Sequence, residues 1–111
     1  MSRTQALFIL LAAAILEVGG DAVIRAGMHG SQRASRLALF LLGGGILFGY
    51  GWLVNAPPWD FGKLLGAYVG FVFLVAQTVN FFAFGKKPST AEIVGGILIV
   101  SGGLVIGVAK N

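Results

Sequence analysis

Residues 5–24 read QALFILLAAAILEVGGDAVI, a run in which the only ionisable side chains are Glu17 and Asp21. About 20 apolar residues at 1.5 Å each cross the hydrocarbon core of a bilayer. Arg25 and a loop at Gly27-Met28-His29-Gly30-Ser31-Gln32-Arg33 close this run. Three more runs follow: residues 37–56, closed by Pro57 and Pro58; residues 64–84, closed by Gly85-Lys86-Lys87-Pro88; and residues 91–109, followed by Lys110 and Asn111. None shows the alternation of a membrane barrel, so helices are the spanning elements. The first run is longer than the apolar core of a signal peptide and contains acids, so it is expected to be retained. The sequence predicts an all-α integral membrane protein in which residues 1–111 form a single domain of four transmembrane helices.

Composition supports the same class. Apolar residues make up 57 % of the 111 positions and charged residues 11 %, roughly half the charge of an ordinary soluble domain. A chain this short has too little interior to hide so much apolar surface from water. The net charge of +4 comes from basic residues lying mostly between the apolar runs, where they set topology and meet anionic head groups. No basic patch interleaves with aromatics, so nucleic acid is not an expected partner. With one His and no Cys, no ordinary zinc site can be assembled. No serine has a credible base partner. Gly43-Gly44-Gly45 lies inside a span and lacks the Lys-Ser/Thr ending of a phosphate loop. No enzyme activity, metal or cofactor is expected.

The loops are short, so the spans alternate in direction. Arg3, Lys63 and Lys110 then lie on one side, and Arg25, Arg33, Arg36, Lys86 and Lys87 on the other. The second group is the cytoplasmic one under the positive-inside rule. A bias of five against three is small enough to permit insertion both ways up. Ser89-Thr90-Ala91-Glu92 fits a capping box directly after Pro88, which makes Glu92 a helix cap rather than a functional acid.

Glu17 is the residue most suggestive of chemistry. A charged group deep in a span is costly and by default marks a proton or substrate site; the structural alternative is a protonated acid donating a hydrogen bond between helices. Ala13, Ala14, Gly20 and Asp21 lie three or four residues away on the same helical face. Small residues there leave room for a ligand, for close helix packing, or for both. Asp21 joins Glu17 among the candidate binding residues, although its i+4 spacing to Arg25 also suits an intrahelical ion pair. Tyr68, a few residues inside the third span, could hold a cation on its ring or bond a carboxylate, or it could simply pack. Tyr50 and Trp52, near the end of the second span, read chiefly as interface residues, with a place in a pocket as the alternative; Trp59 reads as interfacial too. Gly95 and Gly102, seven residues apart in the fourth span, make a smooth stripe that admits a second helix from the same chain or from another copy.

The chain resembles the small multidrug resistance (SMR) family, the four-helix members of the drug/metabolite transporter superfamily. The likeness covers nearly the whole length. It rests on Glu17 within Leu16-Glu17-Val18-x-Gly20, in the place of that family's essential first-helix glutamate; on Gly95-x6-Gly102, like its dimerisation motif; and on helix count and loop lengths. Trp52-Leu53, Pro58, Gly62, Ala67-Tyr68 and Gly70 look closer to the YnfA-like branch. Typical drug exporters of the family have tryptophan where Tyr68 stands, so the tyrosine argues against polyaromatic drugs as substrates. The resemblance implies an antiparallel homodimer in a bacterial inner membrane that exchanges protons for a small cationic or lipophilic compound. Two copies of Glu17 would be the shared site, and Tyr68 would orient Glu17 or stack on the substrate. The family also includes paralogue heterodimers and lipid-linked substrate flippases. A non-transporting accessory or scaffold protein is the rival from another class.

Overall fold

The computed structural model of the chain describes residues 2–108, apart from the side chains of Arg3 and Phe61. It is helical almost throughout: α1 spans Arg3–Met28, α2 Arg33–Asn55, α3 Phe61–Phe84 and α4 Thr90–Val108. At 1.5 Å per residue these helices are about 39, 35, 36 and 29 Å long. All four are long and apolar enough to cross a membrane, the profile of a multi-pass membrane protein. Ala109, the expected end of the fourth span, and Lys110 lie outside the described residues.

The helices overrun the apolar runs because helix geometry and hydrocarbon crossing end for different reasons. Gly27 and Met28, expected in a loop, form the last turn of α1, and α2 begins at Arg33 rather than near Leu37. The Arg36 Nε donates to the Gly27 carbonyl at 3.1 Å, occupying one of the acceptors that a helix C-terminus leaves over. Ser2 and Gln5 form a reciprocal capping box at the start of α1, with bonds of 3.0 and 3.1 Å. Asp60 caps α3 by accepting the Lys63 N–H at 2.9 Å. Gly85 ends α3 in the left-handed region at φ 65°, and the Lys86 N–H reaches back to the Asn80 carbonyl at 3.1 Å. Glycine adopts that conformation without a Cβ penalty. Ser89 and Glu92 form the capping box at the start of α4, as the spacing predicts: the Glu92 N–H donates to Ser89 Oγ at 3.1 Å and the Ser89 N–H to Glu92 Oε1 at 3.3 Å.

The chain divides into two compact units, Met1–Pro57 and Pro58–Asn111. Each is a hairpin, α1 against α2 and α3 against α4. Glycine sets both crossings. A Cβ added at Gly43 would stand 2.5 Å from the Ile24 side chain and 3.1 Å from the Gly20 carbonyl; one added at Gly20 would meet Leu47 at 2.8 Å. In the second hairpin a Cβ on Gly103 would lie 3.3 Å from the Ala67 carbonyl, and one on Gly96 would collide with the Phe73 ring. The Gly43 and Gly103 contacts are backbone-to-backbone approaches of the kind small residues permit in membrane helices, while Gly20 and Gly96 make room for a partner side chain. Much of the remaining surface is apolar and exposed: Phe8 (68 %), Leu41 (70 %), Phe48 (73 %) and Phe82 (78 %). Exposed apolar surface on this scale suits lipid or a partner, not water.

Candidate functional site

The site is built on the first hairpin. Glu17 sits on α1, half-buried, eight residues or about 12 Å before Arg25. Ala13 and Ala14 are fully buried one turn earlier, and Gly20 is buried one turn later. Gly20 therefore serves close helix packing, since the space at its Cα is filled by Leu47 and the Gly43 carbonyl. Asp21 is exposed on α1 with Arg25 one turn beyond it.

The second helix contributes a residue the sequence reading placed at the interface. Tyr50 of α2 is half-buried and falls opposite Glu17 of α1. The antiparallel register explains this. Ile24 faces Gly43 and Gly20 faces Leu47, so continuing toward the N-terminus of α1 brings Glu17 to Tyr50. The signal was present as spacing: Gly43, Leu47, Tyr50 and Val54 recur at intervals of four, three and four, one face of a helix. Trp52, two residues from both Tyr50 and Val54 and therefore off that face, is 71 % exposed, in keeping with an interfacial or lipid-facing ring.

Tyr68 belongs to the second hairpin, where it is 3 % exposed, with Leu64 buried one turn before it. In the same hairpin the Gln77 Nε2 of α3 donates to Glu92 Oε2 of α4 at 3.0 Å. Glu92 also accepts from the Ser89 hydroxyl at 3.0 Å, so its carboxylate is committed to fastening the start of α4. The Gln77 Oε1 is buried and accepts no hydrogen bond from the described residues. Gly95 and Gly102 differ from their neighbours: among the described residues a Cβ at either would meet nothing within 4 Å, whereas Gly96 and Gly103 are filled by α3. Among the described residues no group of three or more His, Cys, Asp or Glu comes together as a metal would require.

Chemically, the first hairpin offers a carboxylate in a membrane-length helix, with a second carboxylate and a phenol nearby. That set can take up or release a proton, or hold a cation. The chain matches no family model, no curated protein and no solved structure.

Proposed function

We propose that the chain is a proton-coupled exporter of small cationic or lipophilic compounds, of the small multidrug resistance type, working as an antiparallel homodimer in a bacterial inner membrane. The observation that carries this reading is Glu17, an acid half-buried inside a membrane-length apolar helix, with Tyr50 on the stretch of α2 that the register sets opposite it. In this mechanism each protomer contributes one Glu17. Protons and the cationic substrate compete for it, and that competition couples their movements in opposite directions. By linkage, a substrate that displaces protons binds more weakly as pH falls. Asp21 lies one turn from Glu17 and widens the negative field through which a cation approaches. The open faces of Gly95 and Gly102 support a partner helix there.

Proton release on adding candidate cations to the purified, weakly buffered protein tests the reading. Release is expected from the wild type and is absent in Glu17→Gln, whose amide keeps the shape and loses the titration; Glu17→Asp keeps part of it. A folded wild type that releases no protons to any cation it binds overturns the mechanism and returns the chain to an accessory role.

A further inference from the structure

The turn between α1 and α2 carries a second feature, independent of the transport reading. A groove there is lined by Ser31, Arg33, Arg36, Leu37 and Phe40. The last four stand at i, i+3, i+4 and i+7 of α2, so they share one helical face. Along that face the chemistry changes once, from two guanidinium groups at the helix start to two apolar side chains about 10 Å along at its inner end. We propose that this groove binds one anionic phospholipid, with its phosphate on Arg33 and Arg36 and the upper part of an acyl chain along Leu37 and Phe40.

Four observations converge on that occupant. First, the groove is shaped by the hairpin itself. A Cβ on Gly27 would meet the Phe40 ring at 2.9 Å, and one on Gly30 would meet the Arg36 stem at 3.2 Å, so both glycines make room for the walls. Secondly, Arg36 is fixed in place by its Nε bond to the Gly27 carbonyl, which leaves its two Nη groups for another acceptor. Arginine suits a phosphate because it offers parallel donors in one plane. Thirdly, the pair has no counter-charge near it along the chain: between Asp21 and Asp60 there is no acidic residue. Finally, the site sits where the basic start of α2 passes into its apolar run, the depth at which a lipid phosphate meets its acyl chains. A free anion would use only the arginine end and would leave Leu37, 59 % exposed, without a role. A zwitterionic lipid would bring its own cation to the arginines.

The test uses the full-length protein in neutral detergent, offered equal amounts of phosphatidylglycerol and phosphatidylcholine with identical acyl chains, with retained lipid counted by native mass spectrometry. Wild type should retain phosphatidylglycerol preferentially. Arg33→Gln should lower that retention about fivefold, the share expected of one basic side chain near an anionic surface. Leu37→Asn should lower it as well. Neutralising Lys86 and Lys87 together should leave it unchanged. The Arg33 side chain is exposed, so its replacement should leave helical content unchanged; Arg36 is avoided because it ties α2 to α1. Equal retention of the two lipids, or equal loss in the Lys86/Lys87 variant, overturns the assignment. Displacement of the lipid by millimolar inorganic phosphate, with Leu37→Asn silent, would identify a free-anion site and overturn it also.

Discussion

At the residue scale, the pairing of Glu17 with Tyr50 makes a sharper prediction than Glu17 alone. If the phenol acts on transport through Glu17, Tyr50→Phe should slow transport several-fold in the wild type and do nothing further in Glu17→Gln, because coupled residues are not additive. Transport rates of the four proteins in vesicles read this directly; equal slowing in both backgrounds would separate Tyr50 from Glu17. Asp21 and Arg25 call for the same cycle. If they pair one turn apart, Arg25→Gln should reduce yield or activity more than Asp21→Asn, since it leaves a carboxylate near the membrane boundary without a counter-charge. The double change should then be milder than the sum of the singles. Glu17 was legible in the sequence because an acid inside an apolar run is visible by itself. Tyr50 was legible only in part: spacing puts it on one face of α2 with Gly43, Leu47 and Val54, but which residue of α1 meets it depends on the register between two helices. Glu92 was legible for the opposite reason, since a capping box is wholly local.

At the scale of the elements, two kinds of glycine should behave differently. Gly43→Ala places a methyl group against the Ile24 side chain and the Gly20 carbonyl. The backbone carbonyl yields little, so the change should destabilise the first hairpin by about 1–3 kcal/mol. Gly102→Ala meets nothing within 4 Å among the described residues and should be neutral, or stabilising by up to about 1 kcal/mol through helix propensity. Denaturant unfolding of detergent-solubilised protein, followed by circular dichroism, distinguishes the two. Ser89→Ala removes the acceptor for the Glu92 N–H and should cost about 0.5–2 kcal/mol, the usual value of an N-cap. The apolar runs of the sequence located all four helices, because hydrocarbon thickness sets a length that composition reveals. Their ends were read less well. Gly27 and Met28 extend α1 beyond its apolar run, since nothing in hydropathy distinguishes a helical turn outside the bilayer from a loop. The caps at Ser2 and Asp60 also fall outside the runs and were missed for the same reason.

At the scale of the whole molecule, the open stripe of Gly95 and Gly102 allows assembly to be tested apart from folding. Gly102→Leu should leave the unfolding midpoint nearly unchanged and weaken dimers, measured by cross-linking in membranes. A matched drop in both would mean that the stripe packs within one chain. Extra lysines at the C-terminus should fix one orientation, and cysteine accessibility would report it; uniform one-way labelling of the wild type would exclude an antiparallel pair of this chain alone. The sequence showed two sets of glycines seven apart in the fourth span without showing which set α3 occupies, because that choice belongs to the rotation of α4 about its own axis. The division into two hairpins also bears on biosynthesis. Each hairpin closes contacts between helices adjacent in sequence, and such local contacts form quickly. A ribosome delivering this chain to an insertion machine releases α1 and α2 together before Pro58 has left the exit tunnel far behind. The natural unit of insertion is then the helix pair. The arginines around the turn between α1 and α2 give the first pair its initial bias, and charges that emerge later, Lys86, Lys87 and added C-terminal lysines among them, either reinforce that bias or overturn it.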